Sequence, residues 1–278
     1  MQLPQKGSII IANIVLWVYE EMIKAVFLDV DNTLTDPRTH VIPESAVKAI
    51  QAARQNGVLV FAATGRNTLN NLELNTISGL ELDGYVGLSG SICHFRGEKP
   101  FYEMTLDADD AEIVFALQRE MKFAMLVVAA HNMFITEIND RVREFSKLWD
   151  IGLPPLLPEG FEPKPLYLLG PYADREAESR ITARLRKTVS ARWNEWGFDL
   201  IPAESGKHVG MRIMLEHFGL SPEDALAVGD AENDITMLEF AGVGVAMDHA
   251  LEMVKKSADF VAPVEEPIRR VFEKYRII

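Results

Sequence analysis

Apolar and polar positions alternate in blocks along this chain. IKAVFLDV at 23–30 is an apolar run that ends in acid, VLVFAA at 58–63 runs into Thr-Gly-Arg, and DGYVGLSG at 83–90 is a third run. Runs of this length, bounded by polar residues, predict buried strands. Between the first two, PESAVKAIQAARQNG has proline near its start and Gly57 just past its end, the punctuation of a helix. A polar helical stretch from Asn67 leads into the third run. Apolar strands alternating with helices predict a parallel sheet with right-handed crossovers.

After residue 90 the texture changes. CHFRGEKPFYE predicts a hairpin turning at Gly97, and DADDAEIVFALQREMKF an amphipathic helix with acids in its first turn, where the helix dipole favours them. AMLVVAA and MFITEI predict strands around the His131–Asn132 turn, DRVREFSKLWDIG a helix, and residues 153–165 a proline-rich loop. LYLLG predicts a strand and REAESRITARLRKTV a helix, and SARWNEW with FDLIPA completes a second α/β unit. From Ser205 the first texture returns, with GKHVGMRIMLEHFGL, NDITMLEFAG and HALEMVKKSA as helices and ALAVGD and VGVAM as strands. The expected fold is α/β: a doubly wound parallel-sheet, Rossmann-like core of residues 22–102 and 199–278, with a second α/β module inserted at 103–198.

A chain of 278 residues with 48% hydrophobic and 25% charged positions can bury a sizeable core, in one large domain or two ordinary ones. Its formal net charge of −13 argues against nucleic acid and anionic membranes as partners. An anionic ligand would then need local lysine, arginine or metal. The single cysteine, Cys93, allows no internal disulfide, which fits a reducing, cytoplasmic setting, and is expected to be a small buried residue. The apolar stretch at 8–18 is too short to span a bilayer as a helix, and YEEM rather than a small-residue cleavage site follows it. Residues 1–21 are expected to be a non-essential extension, with Met22 opening the folded domain.

Four polar clusters fall just beyond strands or at helix starts, where open α/β sheets bind ligands. Asp29, Asp31 and Thr33 form the first. An EF-hand calcium loop starting at Asp29 fails, because its sixth position is Leu34 and its twelfth His40. Asn32 lies where a tight turn calls for left-handed backbone, which asparagine tolerates. The second cluster is Thr64-Gly65-Arg66, where the threonine is either a helix cap or part of an anion site. The third is Lys207, a cation opposing the dipole of the helix it opens, tolerable if exposed and favourable if phosphate binds. The fourth is GDAENDITML, in which Asp230 ends a strand and Asn233 and Asp234 open a helix. Hard oxygen ligands of this kind suit Mg²⁺.

DVDNT, ATGR, Lys207 in SGKHVG and GDAENDITML, in that order, resemble the four motifs of the haloacid dehalogenase superfamily of phosphohydrolases. The large insertion between the second and third resembles the α/β cap of its Cof-like branch. The resemblance runs over about residues 22–275. It implies a Mg²⁺-dependent phosphatase of small phosphorylated metabolites, sugar phosphates first, with no nucleic-acid or membrane partner, acting as a monomer or homodimer. It implies that Asp29 is the nucleophile, forming an aspartyl-phosphate, and that Asp31 is the general acid and base, neutral at first. Mg²⁺ would sit on the Asp29 carboxylate, the Asp31 backbone carbonyl and Asp230. Thr64, the Gly65 backbone, Lys207 and Asn233 would hold phosphate oxygens, and Asn233 with Asp234 would support the metal's waters and Lys207. The cap would close over the site and set specificity. Trp193, Trp196, His131 and the proline-rich loop are candidates for lining the entrance, and His208, beside Lys207, is either a substrate contact or an exposed residue at the helix start. A phosphomutase-like transferase or a catalytically idle metal-binding relative are the alternatives. The chain departs from the family pattern at Asn32, at Ser89-Gly90-Ser91 where the family often reads Asn-Gly-Ala, and at Asp248-His249 in place of Gly-Asn.

Overall fold

The computed structural model describes residues 23–69, 77, 79–129, 132–149, 151–160 and 164–278. The expected N-terminal extension, most of the polar helical stretch before the third strand, and His131 lie outside the described residues. Thirteen strands are described: β1 (Ala25–Leu28), β2 (Leu59–Ala63), β3 (Gly84–Gly87), β4 (Ile92–Phe95), β5 (Tyr102–Glu103), β6 (Met125–Ala129), β7 (Met133–Ile135), β8 (Leu166–Pro171), β9 (Thr188–Asn194), β10 (Gly197–Pro202), β11 (Ala225–Gly229), β12 (Val243–Ala246) and β13 (Phe260–Val261). The α-helices are α1 (Glu44–Gln55), α2 (Ala108–Met121), α3 (Asp140–Leu148), α4 (Arg175–Thr182), α5 (Lys207–His217), α6 (Ile235–Phe240), α7 (Glu252–Lys256) and α8 (Pro267–Lys274).

The strands make two sheets. The first runs β13-β12-β11-β1-β2-β3-β4-β5, parallel from β13 to β3, with β4 and β5 added antiparallel at one edge. The chain winds outward from β1 through β2 and β3, then returns beside β1 at β11 and winds the other way. The crevice beyond the carboxyl ends of β1 and β11 is therefore the topological switch point, where such sheets bind ligands. Helices cover both faces, which is why β1 is apolar throughout. Val26 and Leu28 pack with Ala46 and Ile50 of α1 and Val271 and Phe272 of α8. Ala25 and Phe27 pack on the opposite face with Met211 and Met214 of α5 and Met237 of α6.

The second sheet, β7-β6-β8-β10-β9, is antiparallel. Met125 and Val127 of β6 face Val114 and Leu117 of α2 and Ile181 of α4. Val128, Tyr167 and Ile201 meet Leu88 and Ile92 of the first sheet's turn in a small apolar cluster.

The sequence boundaries need two corrections. β10 belongs to the second sheet, so the chain recrosses after Pro202 and the expected boundary at 199 cuts a strand. The helix expected over 175–189 stops at Thr182, because the buried Asp110 carboxylate accepts from the backbone N–H groups of Arg186 and Lys187 at 3.1 and 2.7 Å. Those N–H groups would otherwise bond within the helix. Trp193 and Trp196 are half-buried. Trp193 packs on Phe145 and Tyr172, and Trp196 lies under the Arg141 guanidinium. The described part of the proline-rich loop runs along β7, with Ile135 donating to the Pro155 carbonyl.

Candidate active site

All four polar clusters converge at the switch point. Asp29 follows β1, in extended backbone, and a tight coil then turns the chain through Asn32, whose φ is 61°. This is the left-handed turn expected there. Asp230 follows β11, and Asp234 sits one short turn later at the mouth of α6. Gly229 makes room for that turn, since a Cβ on it would lie 2.5 Å from the Asp234 carboxyl carbon.

Lys207 is the centre of the cluster. It is 2% exposed, and its Nζ donates to Asp29 Oδ1 at 2.6 Å and to Asp234 Oδ1 at 2.5 Å. Burial opposes the ammonium, but Asp234 and Asp29 outweigh it and hold the Lys207 pKa above its ordinary value. Lys207 is thus not the exposed lysine that the sequence left open. The other Asp234 oxygen accepts from the backbone N–H groups of Asp230 and Ala231, both at 3.0 Å. With both oxygens engaged, Asp234 orients Lys207 and the Asp230 turn. Burial pushes the Asp29 carboxyl well up, with Lys207 pulling against it and Asp234, Asp230 and Asp31 adding to the rise. Burial raises Asp230 too. Three carboxyl groups share one ammonium here, so the site is short of positive charge.

A divalent cation fits that deficit. Oxygens of Asp29, Asp230 and Asp234 come within 4.8 Å of one another, a hard donor set. Because Asp234 is engaged, Asp29 and Asp230 have room for the ion. Thr33 Oγ1 orients Asp230 by donating to its Oδ1 at 3.0 Å, and His249 Nε2 lies 3.7 Å from its Oδ2. The Oδ1 atoms of Asn32 and Asn233 are buried without a hydrogen-bond partner among the described residues, so acceptors stand unused around the site.

Asp31 is placed differently. Its two oxygens accept from Arg66 Nη2 at 2.6 Å and Nε at 3.0 Å, and it is not one of the three carboxylates whose oxygens come within 4.8 Å of one another. Arg66 is the residue that motif reading missed. It stood in the quoted Thr-Gly-Arg, but only the fold shows that it clamps Asp31. Thr64 is fully buried, and its hydroxyl accepts from the Arg66 N–H at 3.1 Å. Next to it, Gly65 lies close under Ser89 and Asp199.

A cavity of about 320 Å³ separates the two modules here, lined by Ser190 and Arg192 from one side and Lys207, His208, Asn233 and Thr236 from the other. His208 is among the residues that line this cavity, with Nδ1 3.1 Å from Thr236 Oγ1. Arg192 is occupied: it donates to Glu178 at 2.5 Å and to the Asn194 carbonyl at 2.8 Å, and lies over Phe198. Arg175 of α4 pairs with Glu232, joining the inserted module to the fourth cluster.

This fold and this cluster define a known class. A sequence profile of the haloacid dehalogenase-like hydrolase family matches residues 26–267, and the chain belongs to that family. Among solved structures, the subclass IIB sugar phosphatase BT4131 of this superfamily superposes with a TM-score of 0.84 at 28% identity, covering 92% of this chain and 100% of that one. The phosphatase BT1666 from Bacteroides thetaiotaomicron superposes at 0.83 and 28% identity, covering 99% of each chain. Bacillus subtilis YkrA, which carries a phosphatase name, is 27% identical over 255 residues, covering 87% of this chain and 93% of that protein. The chain spans about half (52%) of a Streptococcus pyogenes protein named as a bifunctional phosphatase and peptidyl-prolyl isomerase.

Proposed function

We propose that this chain is a Mg²⁺-dependent phosphatase of small phosphorylated metabolites, sugar phosphates first, with residues 103–202 serving as its specificity-setting cap. The observation that carries the reading is Lys207, buried between Asp29 and Asp234 beside Asp230 at the strand switch point. The sugar-phosphatase name of a structural neighbour supports the substrate class. The cavity lined by Lys207, His208, Asn233 and Ser190 supports it as well.

Asp29 is the nucleophile. Lys207 holds its Oδ1, and Oδ2 attacks phosphorus in line. The bond from phosphorus to the leaving oxygen breaks as the bond to Asp29 forms. Asp31 gives its proton to that oxygen. In the second step a water gives a proton to Asp31 and attacks phosphorus, and the Asp29–phosphorus bond breaks to release inorganic phosphate. Arg66 must first release an Asp31 oxygen, because both are engaged in the arrangement seen. Thr64, Gly65, Lys207 and Asn233 hold the phosphoryl oxygens as charge moves among them. Mg²⁺, held by Asp29, the Asp31 carbonyl and Asp230, would supply positive charge against those oxygens.

The test is release of inorganic phosphate from a panel of phosphorylated metabolites and a generic aryl phosphate, with Mg²⁺ and with chelator. Release that requires Mg²⁺ and is fastest on sugar phosphates is expected. No release on any substrate, from folded protein with Mg²⁺ present, contradicts the reading.

A further inference from the structure

Leu88, Ser89 and Gly90 form a buried turn in which all three residues have positive φ, at 49°, 52° and 95°. For Leu88 and Ser89 that backbone is disfavoured by roughly 1–2 kcal/mol each, so the turn persists only where its surroundings hold it. Two of its supports come from the second polar cluster. The Leu88 N–H donates to the Arg66 carbonyl and the Ser89 N–H to the Thr64 carbonyl, both at 3.0 Å. On its other side Gly90 presses on Gly206, where a Cβ would come within 2.0 Å of the Gly206 carbonyl oxygen. Gly206 is the residue before Lys207. The turn is wedged between the second and third polar clusters.

Its third support comes from the inserted module. Ser89 Oγ donates to Asp199 Oδ2 at 2.8 Å, and Trp193 Nε1 donates to Asp199 Oδ1 at 2.9 Å. Ser89 is 1% exposed and Asp199 6%. Asp199 also closes over the second cluster, since a Cβ on Gly65 would lie 3.1 Å from Asp199 Oδ2. Leu88 and Ile92 already meet Ile201 through apolar contact. A buried carboxylate adds cost to such a seam. What it offers instead is direction, because it fixes one hydroxyl on a turn that cannot hold itself.

We propose that Asp199, carried by β10, is a positioning residue: through Ser89 it holds the Leu88–Gly90 turn, and through that turn the registration of Thr64-Gly65 against Lys207. This rests on the phosphatase reading above. It makes cap and phosphate site one mechanical unit, and it gives the Ser89 departure from the family pattern a partner in this chain.

The test is inorganic phosphate binding by titration calorimetry in Mg²⁺ buffer, together with kcat and KM on an aryl phosphate. Asp199→Ala, Ser89→Ala and Trp193→Phe are compared with wild type, and thermal unfolding is recorded for each. Ser89→Ala and Trp193→Phe each delete one donor and keep the apolar contacts, so they decide the matter if Asp199→Ala does not fold. Phosphate affinity is expected to fall about tenfold in Ser89→Ala and Asp199→Ala, with no further loss in the double variant. Asp199→Asn, which keeps one acceptor oxygen, should recover part of the loss. Variants that lose thermal stability but bind phosphate as wild type does would reduce Asp199 to a structural contact and overturn the proposal. A wild-type protein that binds no phosphate would overturn the phosphatase reading instead.

Discussion

Replacing Lys207 with methionine keeps the length of the side chain and removes its charge. Two buried carboxylates, Asp29 and Asp234, then lose their shared counter-ion. Deleting one partner of a buried ion pair costs about 3–5 kcal/mol. The cost for one carboxylate has a ceiling, because the group can take a proton. From an ordinary value of 3.8, protonation at pH 7 costs about 4 kcal/mol at 1.4 kcal/mol per pH unit. The two figures agree. At pH 5 the same ceiling is only about 1.6 kcal/mol. The sign follows from linkage. Burial already holds the Asp29 pKa above its unfolded value, and losing Lys207 raises it further. The folded variant then binds more protons than its unfolded chain, and its deficit shrinks as pH falls. Expressed as Tm, at about 2–4 °C per kcal/mol for a chain of this size, Lys207→Met should melt about 8–16 °C below wild type at pH 7. At pH 5 the gap should be less than half that. Differential scanning calorimetry at both values is the assay. A gap under about 3 °C at pH 7, or one that widens towards pH 5, refutes the buried-pair account.

Mg²⁺ should raise the Tm of wild type, by about 2.7 kcal/mol of stability at one hundred times its dissociation constant, and chelator should reverse the rise. Asp230→Asn should abolish that shift, and a shift that survives it would place the ion elsewhere. His94 is buried and accepts from Thr68 Oγ1 at 2.8 Å, with its other ring nitrogen donating to the Phe95 carbonyl. Burial depresses its pKa below 6.5, despite the Phe95 carbonyl. The unfolded chain therefore gains the proton first, and stability should be full above pH 6.5 and decline below it. Between pH 7.5 and 5.5, His94→Gln should lose less stability than wild type in urea unfolding. Equal losses would remove His94 from the acid response. Gly90→Ala should destabilise the fold and weaken phosphate release together, since its Cβ would meet the Gly206 carbonyl; unchanged kinetics would contradict the tight turn.

Much of this is legible in the sequence. Asp29, Thr64 and Asp230 each end an apolar strand, and Lys207 opens a helix, so local pattern alone placed them at one end of a parallel sheet. Cys93 was expected to be buried, and it is, with burial pushing its thiol up to about 12. What stayed hidden depends on contacts made through space. Arg66 and Asp31 are 35 residues apart and Ser89 and Asp199 are 110 apart, and no periodicity links such pairs. Helical spacing ran on past Thr182 because Arg184 and Lys187 fit a solvated face, and only the Asp110 carboxylate behind them stops the helix. FDLIPA reads as part of the second α/β unit, yet the boundary drawn at 199 gives most of β10 to the core. Its hairpin with β9 assigns it to the other sheet.

In the proposed reaction Asp29 carries the phosphoryl group. The measurement that tests it most directly is phosphate release from an aryl phosphate in Mg²⁺ by wild type and Asp29→Asn, with circular dichroism confirming that both are folded. Release by wild type and none by the variant is predicted. An Asp29→Asn protein that turns over near the wild-type rate would contradict the account.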